Sequence, residues 1–175
     1  FGSFGTNRWG FNLENTSGSS QIKFGLHGTE TDGTNIPRQG SESDGYKNTT
    51  FNLSGSTFFT DSILASINYR QTNSEADFDD TDFVTTGLPV DAESKTDSEQ
   101  RYLGASLGLT LLEGKVSQKL IASRAETDNE NQTSSPVNDV TRGVRTGLRA
   151  QTDLFFSEHT FSFIAEFEEE DFVQR

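Results

Sequence analysis

Four carboxylates crowd one short stretch of this chain: Asp77, Asp79, Asp80 and Asp82, flanked by Phe78 and Phe83. Hard divalent cations take several carboxylate oxygens at one point. That makes the stretch a candidate calcium site, although it lacks the glycine with which a calcium loop turns sharply. The competing reading is a solvated charge run. Catalytic groups are scarce. His27 and His159 are the only histidines and there is no cysteine, so a His-based triad or a zinc site has few members to draw on. The expectation is no enzyme, no catalytic residues and no required cofactor. A further set, Arg70, Lys119, Arg145 and Arg149, shares one phase of alternation with Glu14, Asp153, Glu166 and Glu168. Such groups either pair across strands or steer an anionic solute.

The elements that carry these residues are strands. Apolar residues recur at every second position, and β-branched and aromatic types dominate. Eight such segments can be read. Trp9, Phe11 and Leu13 mark the first, and Ile22, Phe24 and Leu26 the second. Phe51, Leu53 and Phe59 mark the third, and Ile63, Ala65, Ile67 and Tyr69 the fourth. Leu103, Ala105, Leu107, Leu109 and Leu111 mark the fifth; Val116, Leu120 and Ala122 mark a weaker sixth, broken by Gln118 and Ile121. Val144, Thr146, Leu148, Ala150 and Leu154 mark the seventh, and Phe161, Phe163, Ala165 and Phe167 the eighth.

The connectors are unequal. Short ones fall at Ser17–Ser20, Thr60–Ser62, Leu112–Lys115 and Phe156–His159; long acidic ones run over Gly28–Gly45, Thr72–Gln100 and Ala125–Thr141. A meander with unlike ends is the grammar of an outer-membrane barrel. The expected fold is all-β: an antiparallel up-and-down meander of about eight strands, residues 1–175 forming a single barrel segment.

Composition fits. The chain has 175 residues and a net charge of −13. The acidic balance argues against nucleic acid, whose phosphates need clustered Lys and Arg. Fifteen phenylalanines supply apolar surface enough to argue against disorder. No apolar run approaches the ~20 residues of a membrane helix, whereas a barrel strand needs only ~9–11. Phe58, Phe59, Phe155, Phe156 and Phe161 flank short turns, while Trp9 and Tyr69 lie toward the other strand ends. Two aromatic belts are what two membrane–water interfaces select. Periodicity alone leaves open which phase faces inward, and a soluble ligand-carrying barrel has the same alternation turned inside out. The charges and glycines of the polar phase favour a wet lumen and a lipid-facing apolar phase.

The first strand precedes a short turn and the eighth follows one. Both chain ends therefore fall on the long-loop side, whereas complete outer-membrane barrels keep their termini on the other. The expectation is a piece of a larger barrel whose first and eighth strands do not pair. The alternative is a small self-contained barrel for anchoring or adhesion.

Three strings carry a family resemblance. The opening Phe1 to Gly10 resembles an early barrel strand of TonB-dependent outer-membrane receptors. The unit Gly45 to Gln71, with its Thr60-Asp61-Ser62 turn, is similar to a paired unit of that family. The acidic close, Phe161 to Arg175, resembles an upward strand of its barrel middle. The resemblance implies outer-membrane uptake of a scarce solute, such as siderophore-bound iron or cobalamin, with an N-terminal plug domain and TonB as partners lying outside these residues. It also implies contact with outer-membrane lipid and lipopolysaccharide. Cobalamin-transporting members use calcium in acidic outer loops, which adds weight to Asp77, Asp79, Asp80 and Asp82 as calcium ligands.

Overall fold

In the computed structural model, residues 2–35, 40, 43–133 and 139–175 are described. They form one antiparallel sheet of eight strands in sequence order. The strands are β1 (Asn7–Ser17), β2 (Ser20–Thr34), β3 (Asp44–Thr60), β4 (Ile63–Thr81), β5 (Pro89–Leu111), β6 (Val116–Gln132), β7 (Asp139–Phe156) and β8 (His159–Gln174). Each strand pairs with its sequence neighbour, and among the described residues no ladder joins β1 to β8. The sheet is open, with two unpaired edges.

The short connectors are tight. Gly18 adopts φ 56° between β1 and β2, and Ser157 adopts φ 51° between β7 and β8. Between β5 and β6 the chain passes through Leu112 (φ 52°), Glu113 (φ 55°) and Gly114 (φ 87°), three successive left-handed residues. Leucine and glutamate are strained there, since their Cβ crowds the backbone. The turn is held by Lys115 N–H donating to Leu112 O at 3.1 Å and Phe155 N–H donating to Lys115 O at 2.9 Å.

The long connectors depart from expectation. Much of what reads as loop is strand. β4 runs on to Thr81 and β5 begins at Pro89, giving β5 a length of 23 residues. β2 likewise extends to Thr34, β6 to Gln132, and β7 starts at Asp139. The reason is physical. Hydropathy alternates only where one face is apolar. Where both faces are wet, the ladder continues and the apolar signal vanishes. The tips within 36–39, 41–42 and 134–138 lie outside the described residues.

The two phases of the ladder separate as expected. Leu107 lies opposite Leu120, which lies opposite Ala150, whereas Arg149 aligns with Ile121 and Glu166. Leu107 and Arg149 are therefore on opposite faces. The sixth strand's exceptions are accommodated within this order. Gln118 falls on the apolar face beside Thr152, whose hydroxyl donates to its side-chain oxygen. Ile121 falls on the polar face between Ser106 and Arg149.

No apolar side chain is fully buried among the described residues. The sheet is a single layer without a core. Its apolar face stays open, with Leu148 54%, Phe163 60% and Phe167 60% exposed. Exposure does not divide the two faces in the middle strands: Gly104 is buried and Ser106 and Arg149 are half-buried on the polar face, Leu107, Leu109 and Ala150 are half-buried on the apolar one, and Leu103, Leu120, Tyr102 and Lys119 are exposed.

Candidate functional site: two wall faces and an ion-pair collar

Along β5 the apolar phase runs Leu111, Leu109, Leu107, Ala105, Leu103 and then changes abruptly to Arg101, Glu99, Asp97 and Lys95. From Leu103 to Leu111, at ~3.3 Å per residue and a tilt of ~45°, the rise is roughly 20 Å. That is close to the ~25 Å apolar band of a membrane barrel. Edge-to-face ring pairs cross the band diagonally: Phe11–Phe24 at 6.0 Å, Phe24–Phe51 at 5.4 Å and Phe51–Tyr69 at 5.9 Å. Each such pair contributes about 0.5–1.5 kcal/mol beyond its area. The Tyr69 hydroxyl donates to Gln71 Oε1 at 2.8 Å, with its ring on the apolar side and its polar tip at the boundary. Trp9 lies against Gly28, where a Cβ would come within 2.2 Å of the indole. At the opposite end Phe156 and Phe161 pair at 6.2 Å beside a short turn.

Directly above the band, on the same face, an ion-pair collar spans β5, β6 and β7. Arg101 Nη2 reaches Asp128 at 2.9 Å and Glu126 at 3.1 Å. Arg124 Nε lies 2.6 Å from Glu126 Oε1, and Arg142 reaches Asp128 at 3.4 Å and Glu126 at 3.7 Å. Glu126 is the enclosed member, its side chain only 15% exposed. Its hydrogen bond from Arg124, reinforced by the charges of Arg124, Arg101 and Arg142, holds its carboxyl below the usual range despite partial desolvation. Further pairs continue the collar: Lys95 with Glu75 and with Asp97, each at 3.4 Å, and Lys47 with Glu30 at 3.4 Å. The collar is hidden from hydropathy because its carboxylates Glu75, Asp97, Glu126 and Asp128 fall in stretches without apolar alternation, which read as loops. The missed signal was charge at every second position.

The other face of the same rows is uncharged. Thr50, Thr72, Gln100 and Thr127 are in register across β3 to β6, and so are Asn48, Ser74, Ser98 and Asn129. Side chains bond across this wall: Thr50 to Thr72 at 3.2 Å and Thr96 Oγ1 donating to Asn131 Oδ1 at 2.7 Å. Charge returns lower down. Arg145 pairs with Glu168 and with Glu170, and Lys23 pairs with Glu14 at 3.3 Å. Arg70, Lys119 and Arg149 form no ion pair among the described residues, and Arg149 Nε is enclosed without a hydrogen-bond partner.

The four sequence-selected aspartates are not one loop. Asp77, Asp79 and Asp80 lie on β4, and Asp82 follows it. Asp82 organises a turn, accepting from the N–H groups of Val84 (3.2 Å) and Thr85 (3.0 Å) and from the Thr86 hydroxyl (3.1 Å). These bonds hold its carboxyl below the ordinary value. Asp80 Oδ1 accepts from the Thr81 N–H at 2.7 Å. Asp77 and Asp79 instead meet Asp44 from β3. Partial burial, then the charge of Asp79 and a hydrogen bond with it, raise the Asp44 carboxyl, and Asp77 and Asp91 add to the effect. Among the described residues no group of three or more His, Asp or Glu side chains is arranged to hold a metal ion. His27 sits beside Asn12 Oδ1 at 3.1 Å, and His159 ends the β7–β8 turn.

No family model and no curated protein sequence matches the chain. Among solved structures, the sheet is similar to BauA, the ferric preacinetobactin receptor from Acinetobacter baumannii. The TM-score is 0.63 at 10% identity, over 97% of this chain and 34% of that one. The chain thus spans about a third of that receptor, and the likeness is one of fold.

Proposed function

We propose that this chain is the barrel-wall and outer-loop portion of an outer-membrane receptor of the TonB-dependent kind, taking up a scarce solute. The observation that carries the reading is the single-layer sheet itself. It has no core, and its open face is apolar over roughly 20 Å, rimmed by rings and capped by an ion-pair collar. Such a face is unstable in water and needs a cover. Lipid fits the band's height, and lipopolysaccharide head groups fit the level of the collar. A polar face rich in charge and glycine suits a wet lumen. The lack of a β1–β8 ladder counts against a closed eight-stranded barrel. The fold likeness to a siderophore receptor supports the same direction. In this reading the unpaired Arg149 and Lys119 face a plug domain, and TonB acts through parts outside this chain. Residues 1–175 are then one barrel segment with no catalytic role.

The test is fractionation and uptake in the native cell. The protein should sediment with the outer membrane, and the uptake it mediates should stop when TonB is deleted. Recovery in the soluble periplasmic fraction would sink the reading.

A further inference from the structure

Behind the apolar band, the polar face of β3 to β6 takes alternate residues from Asn52 to Phe58, Leu64 to Arg70, Tyr102 to Thr110 and Ser117 to Ala125. No aspartate or glutamate stands among them, although the chain carries 27 of these against 14 lysines and arginines. Two cations do stand there, Arg70 and Lys119, and neither forms an ion pair among the described residues. Arg70 lies between Asn52 and Tyr102, with Thr50, Ser54, Gln100 and Gly104 as diagonal neighbours, all of them neutral. Lys119 lies between Gly108 and Gln151. At the border, Arg149 on β7 leaves its Nε enclosed without a hydrogen-bond partner. Elsewhere on this face the ladder supplies the counter-charge: Lys23 meets Glu14, and Arg145 meets Glu168 and Glu170. Solvation alone does not explain why acids are missing from four adjacent strands of so acidic a chain. Carboxylates there would repel an acidic partner, and lone cations attract one.

We propose that this patch docks an acidic polypeptide segment whose carboxylates meet Arg70 and Lys119. The inference rests on the receptor reading above and names the chemistry of the partner on this face. Spacing argues for a polypeptide. Tyr102, opposite Arg70, and Gly108, opposite Lys119, are six residues apart on β5, which is roughly 20 Å at ~3.3 Å per residue. A small anion reaches one of the two cations. An extended segment with carboxylates about six residues apart reaches both. The floor between them is low, with Ser66, Ser106, Gly108 and Ser123, so another backbone can come close. Arg70 lines a hollow of about 400 Å³ with Asn12, Asn52, Asn68 and Tyr102. Their amide and phenol groups add donors for a carboxylate that the guanidinium holds. Leu64 and Ile121, on the same face, offer apolar contact between the charges.

The experiment is carbodiimide cross-linking of the full-length receptor in detergent, read by mass spectrometry. The reagent joins a lysine amine to a carboxylate in contact with it, and Lys23 with Glu14, 3.3 Å apart, is the internal control. Lys119 should couple to an aspartate or glutamate outside residues 1–175. The Arg70→Lys variant should couple at position 70 as well, to a second carboxylate of the same segment. Arg70→Glu combined with Lys119→Glu should speed amide hydrogen exchange of that segment tenfold or more, while Lys47→Gln on the opposite face should change it less than threefold. Coupling of Lys119 to residues 1–175 alone, or no coupling while Lys23 and Glu14 react, would overturn the docking. So would citrate shielding Lys119 from acetylation where no cross-link forms, which would give the patch to a small anionic solute. These results leave the receptor reading standing; it falls separately, by soluble fractionation.

Discussion

The lower and upper halves of β5 share one strand and one ladder yet obey different rules. From Leu103 to Leu111 the two faces differ in hydropathy; from Lys95 to Arg101 they differ in charge. The first rule belongs to a sheet with apolar matter on one side. The second belongs to a sheet that is wet on both sides but discriminates between them. The switch occurs between Arg101 and Leu103, at the level of Tyr69, which pairs with Leu103. One strand thus records where its surroundings change.

The largest way to break the comparison is to put charge into the lower half. Leu107→Arg should cost about 2–4 kcal/mol of folding stability in lipid, as for arginine at a bilayer midplane. Ser106→Arg, on the polar face, should cost less. Urea unfolding of the receptor in vesicles reads both, and equal costs would remove the lipid from the argument. Next comes Gly28→Val. Its Cβ would meet the Trp9 indole at 2.2 Å, so the ring must leave its seat, at about 1–3 kcal/mol for overpacking. Trp9 is the only tryptophan of this chain. In the receptor in detergent, with any tryptophan outside this chain replaced, its emission should shift to the red, and an unshifted spectrum would deny the contact.

A smaller effect tests the collar. Glu126→Gln removes the charge that Arg101, Arg124 and Arg142 share. Partly exposed pairs are weak and screened, so the loss should be about 1 kcal/mol and should shrink in high salt. A salt-independent loss would mean that Glu126 acts through packing.

How much of this was legible in the sequence follows the same division. Leu103 to Leu111 announces its strand and its alternation of two phases through hydropathy alone. Phe156 and Phe161, which the sequence places at a short turn, pair there. Above Arg101 the hydropathy signal is gone and the strand reads as loop, although its charges alternate at every second position. Asp44 shows the other limit. Asp77 and Asp79 attract notice as neighbours in sequence, but only the β3–β4 ladder brings Asp44 to them. Asp82, adjacent in sequence, is drawn off by Val84, Thr85 and Thr86 into a turn.

The smallest effect sharpens the comparison by pH. Glu126 and Asp44 are both carboxylates of the upper half, shifted in opposite directions. Glu126 is lowered in the folded state. Its contribution is complete above the unfolded carboxylate value and is lost as pH falls through the folded one. Asp44 is raised by partial burial and by Asp79. Its protonated form is favoured on folding, so stability is complete below the unfolded value and is lost as pH rises through the folded one. Neutral pH therefore strains the Asp44 end of β3 while it supports the collar. Asp44→Asn should relieve that strain, slowing amide hydrogen exchange at Tyr46 and Lys47 near pH 7 and leaving it unchanged near pH 3. The gain is below ~1 kcal/mol, since the group is only partly buried and its charge is screened. Exchange that quickens at pH 7 in the variant would show that the Asp44 carboxylate holds the β3–β4 ladder together, with its repulsion from Asp79 the weaker of the two effects.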